Sequence, residues 1–178
     1  LYFKKRKKKL MSSLRTKGSF FNLYSWLPII VLLISVLNEF DLNYLNLDYF
    51  SFNFPFILIF YFTLKDIKNF DYFFVFLAGL INDTVIGLPL GISSLSYTLL
   101  CIATSYLRNI TIRPNPIKDW FYFLFIICLI NSINYSILTL FFSFNLVLMS
   151  YLVNIFFTFT FYILFTYFFK FYLKGLND

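Results

Sequence analysis

The sequence predicts an all-α membrane protein: a single bundle of about six transmembrane helices with its N- and C-termini cytoplasmic. Three observations carry that prediction. Of 178 residues, 60% are hydrophobic, 25% aromatic and only 13% charged, which leaves too little polar surface for a soluble domain of this size. The apolar residues gather in stretches approaching the roughly 20 residues that cross about 30 Å of hydrocarbon. The Lys and Arg residues fall between those stretches in a pattern that one leaflet can own.

The first span is predicted from Phe20 to Val36, with Trp26 near its start, followed by an acidic segment holding Glu39, Asp41 and Asp48. The second runs from about Phe52 to Leu64 and ends at Lys65-Asp66-Ile67-Lys68; the third runs from Phe70 to about Asn82. Both are short for a bilayer. The fourth begins after Pro89 and reaches Leu107, ahead of a loop with Arg108, Arg113 and Lys118. The fifth covers Trp120 to Phe142 and the sixth about Leu146 to Phe169, before Lys170 and Lys174. The organisation is thus a basic cytoplasmic segment over 1–19, a transmembrane domain over 20–170 and a short tail over 171–178.

Alternation from a cytoplasmic amino terminus places all 15 Lys and Arg inside, while the opposite loops carry Glu39, Asp41, Asp48 and Asp83. The run Lys4-Lys5-Arg6-Lys7-Lys8-Lys9 faces anionic headgroups in this reading, so membrane lipid is a partner. The net charge of +7 is accounted for by orientation, and no nucleic-acid surface is expected. The chain opens on Leu1, with Met11 after the lysine run; the start is a non-standard initiator or Met11, and Arg15 and Lys17 remain in either case. The apolar stretch that follows is too long for a signal peptide and lacks a small-residue cleavage site.

Catalysis and metal binding have little to work with. Histidine is absent, removing the commonest general base and transition-metal ligand. Cys101 and Cys128 both lie in apolar spans and read as packing residues. No nucleophile and base pair can be assembled, so the chain is expected to be non-enzymatic and without cofactor.

Packing faces are legible instead. In the fourth span Gly91, Ser94, Thr98, Cys101 and Ser105 recur at intervals of three and four, forming a stripe of small side chains against which another helix can pack closely. In the fifth, Ser132, Ser136, Thr139 and Ser143 form a second stripe, with Asn131 and Asn134 beside it. In the sixth, Ser150, Asn154 and Thr158 offer a partner face for the fifth. Amides in hydrocarbon need hydrogen-bond partners, so Asn131, Asn134, Ser136 and Asn154 are read as a polar seam. A substrate path is the alternative reading of that seam.

One stretch is more specific: Ala78-Gly79-Leu80-Ile81-Asn82-Asp83-Thr84-Val85-Ile86-Gly87-Leu88-Pro89-Leu90-Gly91-Ile92-Ser93-Ser94-Leu95-Ser96-Tyr97. Asp83 is expected to end the third helix, Pro89 to open the fourth, and Gly87 and Gly91 to permit tight turns. A re-entrant or broken corner between helices 3 and 4 follows, and it must be buried in protein or reach water. Asp83 is the one acid set among apolar spans; backbone capping and partner contact are its two candidate roles.

This stretch resembles the rod shape-determining MreD family, which carries a Gly-x-x-x-Asp segment, a Gly-x-Pro-Leu-Gly corner and a small-residue helix. Here these are Gly79, Asp83, Gly87, Pro89, Leu90 and Gly91. More weakly, the resemblance extends to the basic amino terminus, the six spans, Tyr61 late in the second and Arg108-Asn109 after the fourth. It departs in having Phe54-Pro55 where members often carry Arg-Pro, and no proline after Pro116. The resemblance implies a multi-pass component of the bacterial inner membrane, within the machinery that directs lateral peptidoglycan synthesis. Its implied partners are MreC, MreB, RodA and a class B penicillin-binding protein. The alternative is a substrate-binding subunit of an energy-coupling-factor vitamin transporter, similar in helix number. Such subunits dock through a small-residue face on the first span, whereas Ile29 to Val36 is bulky; their outer ligand pocket would have to draw on Asn38, Glu39, Asn43 and Asn46.

Overall fold

The computed structural model describes residues 26–37, 51–67, 70–111, 115–143 and 148–174. All regular structure among them is helical: α1 (Trp26–Leu37), α2 (Phe54–Leu64), α3 (Tyr72–Ile86), α4 (Ile92–Ile110), α5 (Pro116–Phe141) and α6 (Leu148–Lys174). The basic run at Lys4–Lys9, the acidic segment after α1 with Asn38, Asn43 and Asn46, and Arg113 lie outside the described residues. α5 and α6 are long and apolar enough to cross a membrane. At 1.5 Å per residue α2 is only about 16 Å long and α3 about 22 Å.

α2 is the axis of the fold. Every residue from Phe56 to Thr63 is buried, so this helix has no outward face. A helix apolar all round must be enclosed, and α4 and α6 flank it. Asn53 starts it, accepting the Phe56 amide at 3.2 Å through its side chain, with Pro55 in the first turn where its missing N–H is no loss. Phe60, Phe123 and Tyr162 close the centre, with ring centroids 4.6–5.5 Å apart. Such aromatic pairs add about 0.5–1.5 kcal/mol each beyond their buried area.

The neighbouring helices reverse direction in turn. α3 and α4 are antiparallel, since Tyr72 meets Ser105 at one end and Asn82 meets Ser93 at the other. α4 and α5 likewise pair Ser96 with Asn134 and the Ala103 carbonyl with the Tyr122 hydroxyl. Large apolar side chains stay exposed on the outer faces of the surrounding helices, among them Ile34, Phe73, Ile102, Phe125 and Phe156.

Several expected helix ends shift. Asp83 does not terminate α3; the helix continues a turn further to Ile86 and stops at Gly87, whose φ of 75° is the left-handed stop that a glycine adopts freely. Pro89 does not open α4, which starts at Ile92 with Gly91 as its N-cap; Pro89 sits in the corner, its carbonyl accepting the Ile92 amide. α5 begins four residues before Trp120, at Pro116, capped by the Asn115 side chain. α6 runs past the expected boundary at 170 to Lys174.

Candidate functional site

The segment singled out in the sequence forms a clamp. Gly79 and Asp83, one turn apart, share the α3 face that meets the start of α4. A Cβ on Gly79 would lie 2.3 Å from the Ser94 Cα, so only hydrogen fits and the helix backbones touch there. Four residues on, the fully buried Asp83 carboxylate reaches the α4 N-terminus: Oδ2 accepts the Gly91 amide at 2.7 Å and Oδ1 the Ser93 amide at 2.8 Å.

The cause is local. Gly91 occupies the N-cap position at φ 109° and has no side chain to satisfy the first free amides of α4. Asp83 supplies that cap from another helix, with its charge against the positive end of the α4 dipole. Its own carbonyl accepts the Gly87 and Leu88 amides, so one residue ties the end of α3 to the start of α4. Asn82 adds a bond to the Ser93 hydroxyl at 2.9 Å. Leu90 stands at the tip of the corner, 70% exposed.

The small stripe of α4 faces inward in part. Ser94 and Cys101 are buried, the Cys101 thiol 3.3 Å from the Thr63 hydroxyl on α2. Ser105 accepts the Tyr72 hydroxyl at 2.9 Å. The Thr98 hydroxyl is buried with no hydrogen-bond partner among the described residues.

The α5 stripe is different. Ser132, Ser136 and Ser143 are exposed and Thr139 half-buried. Ser136 donates to the Ser132 carbonyl and Thr139 to that of Tyr135, so these hydroxyls are satisfied within their own helix and need no neighbour. Nor do Asn154 and Thr158 of α6 bond to α5: Asn154 donates to the Ser51 hydroxyl at 3.1 Å, and the Thr158 hydroxyl accepts the Asn53 amide at 2.9 Å. The polar column of α6 therefore holds the entrance of α2, where backbone donors are still unpaired.

Asn131 and Asn134 turn inward with other amides around a cavity of about 250 Å³ beside the clamp. Asn53, Asn82, Asn131, Asn134 and Asn154 all line it. Tyr97 lines it too, with its hydroxyl buried and unpartnered among the described residues. Asn82, Ser96 and Tyr97 lie in the stretch marked as specific but are given no role there; Asn53 is not singled out, although its place ahead of Phe54-Pro55 is a readable helix-start signal.

At the opposite end of α4, Arg108 donates to the Asp66 carboxylate at 2.6 Å and to the Thr63 carbonyl at 3.1 Å. This bridges α4 to the last turn of α2, where carbonyls lack helical partners. A smaller cavity of about 140 Å³ adjoins it, lined by Asp71, Tyr72 and Ser105 among others. Among the described residues no group of three or more His, Cys, Asp or Glu could hold a metal ion.

The fold and clamp define an all-helical protein with at least two helices capable of crossing a membrane. No family model, curated protein or solved structure matches the chain.

Proposed function

We propose that this chain is a six-span protein of the bacterial inner membrane with cytoplasmic ends, acting as a non-enzymatic helix-packing scaffold in the rod-shape machinery. In that role it links MreC and MreB to RodA and a class B penicillin-binding protein. The observation that carries the reading is the clamp: Gly79, Asp83, Gly87 and Gly91 of the MreD-like segment each do a distinct structural job in one corner.

Other features support the membrane arrangement. The exposed Ile34, Phe73, Ile102, Phe125 and Phe156 would cost free energy in water and cost none in lipid. α2, too short to span on its own, has no lipid contact to satisfy. The alternating helix directions set Lys65, Arg108 and Lys118 at the end opposite Asp83, as the positive-inside rule asks.

The test is co-purification in mild detergent with an MreC-like partner encoded beside this chain. Recovery of a stoichiometric complex supports the scaffold. An adjacent transporter ATPase, with no MreC-like neighbour and no complex, rejects it.

The 250 Å³ cavity favours the second reading, a substrate-binding transporter subunit, because such proteins require convergent polar groups in a pocket. Against it stands the exposed face of α1, where Ile30, Ile34 and Leu37 are bulky rather than small.

A further inference from the structure

The cavity beside the clamp is built for a ligand of definable chemistry. Its polar groups come from five separate segments: Asn53 ahead of α2, Asn82 on α3, Ser96 and Tyr97 on α4, Asn134 on α5 and Asn154 on α6. None of the described residues lining it is charged. The nearby Asp83 is not among the lining residues, and each of its oxygens accepts a backbone amide of the α4 cap. The described lining offers an ionic ligand no charged partner, and burying one unpaired is costly.

The hydrogen-bonding capacity is amide and hydroxyl, and much of it is unspent. A carboxamide can make four bonds. Asn134 is engaged by the Ser96 hydroxyl at 2.8 Å, and Asn82 donates to Ser93. The groups open to a ligand are the half-buried Asn131, Asn134 and Asn154; the Tyr97 side chain, 1% exposed, has a hydroxyl that is closed off from the cavity and has no partner among the described residues.

Size and wall chemistry narrow the class. At about 250 Å³ the cavity is smaller than the roughly 300–1,000 Å³ of drug-sized sites, and it would hold about eight waters at ~30 Å³ each. Water gains nothing from the Phe56, Ile92 and Leu138 parts of the wall. A small ring with apolar C–H faces and a polar edge satisfies both kinds of wall at once.

We propose that this cavity binds an uncharged, hydroxyl- and amide-bearing group of single-sugar size, presented either as a free solute or as the headgroup of a glycolipid. The inference rests on the cavity and not on the scaffold reading; loss of the MreC complex would leave it standing.

The experiment uses the full chain in nanodiscs of phosphatidylcholine and phosphatidylglycerol, purified in a sugar-free detergent. Saturation-transfer NMR measures binding of N-acetylglucosamine, with its 1-phosphate and cationic glucosamine as charged counterparts. In a second arm, monoglucosyl diacylglycerol is doped into the bilayer and retention is read by native mass spectrometry. Saturable binding of the neutral sugar alone, at least tenfold tighter than either charged form, supports the free solute; retention of the glycolipid alone supports the headgroup. Asn134→Leu should abolish binding, and Asn154→Leu should weaken it about tenfold. If Asn134→Leu unfolds, Ser96→Ala takes its place, with binding weakened severalfold. No saturable binding in either arm, equal binding of the charged forms, or wild-type affinity in the Asn134 and Asn154 variants overturns the proposal.

Discussion

The Asp83 carboxylate and the Gly91 amide meet at 2.7 Å across the corner between α3 and α4, so a helix with no cap of its own is capped by its neighbour. Gly91 and Asp83 are chemically complementary: one leaves free amides, the other brings the acceptor.

Removing that acceptor strands the Gly91 and Ser93 amides in a buried place. Asp83→Ala is expected to destabilise the protein by about 2–4 kcal/mol, and Asp83→Asn by less, since an amide oxygen keeps one bond. Thermal unfolding in detergent measures both. On the proposed scaffold role, Asp83→Ala should impair restoration of rod shape in cells more than Asp48→Ala, and equal behaviour would remove Asp83 from the functional residues.

Gly79 and Gly87 should fail for different reasons. Gly79→Ala drives a methyl group into the Ser94 backbone and should cost about 1–3 kcal/mol by prising α3 from α4. A Cβ on Gly87 meets nothing within 4 Å, so Gly87→Ala should cost only the roughly 1 kcal/mol of left-handed strain at φ 75°. Gly87→Asn, which tolerates that conformation, should recover part of the loss; Gly79→Asn should not.

Arg108 has two partners of unequal worth. Its contact with Asp66, which is 75% exposed, should contribute under about 1 kcal/mol and fade in molar salt. Its bond to the Thr63 carbonyl serves the end of α2 and should persist. Arg108→Ala is therefore expected to lower the unfolding midpoint more than Asp66→Ala, and the difference should survive 1 M salt.

Trp120 lies flat against Phe159, with centroids 4.3 Å apart, and its indole N–H donates to the Phe159 carbonyl at 3.0 Å. Trp120→Phe keeps the stack and should cost about 1 kcal/mol; Trp120→Ala should cost about 3–5 kcal/mol. Chemical unfolding curves separate the two.

Orientation has a direct check. A cytoplasmic reporter fused beyond Lys174 should be active and a periplasmic one silent. The reverse result would remove one span from the arrangement and the family reading with it.

The sequence marked helices well where run length and flanking signals decide, as for α2, expected from about Phe52 to Leu64 and found over Phe54–Leu64. It misplaced Asp83 for a physical reason. A carboxylate in an apolar run reads as a helix end because burial of a charge is costly, and the amides that offset the cost belong to a turn that local pattern does not connect to it. The clamp residues were legible as a motif, yet the division of labour between Gly79 and Asp83 was not. The cavity was less legible still. Its asparagines are spread from Asn53 to Asn154, and the α5 hydroxyls that looked like a seam are satisfied within their own helix.

The enclosure of α2 bears on the order in which the protein is made. This rod of 11 residues precedes α4 and α6 in the chain, the two helices that flank it, so on the six-span reading it would meet the bilayer under hydrophobic mismatch before they follow. α6 later lays Thr158 and Tyr162 against it. A chain cut short before α6 should therefore leave that side of α2 open, and limited proteolysis would detect the difference.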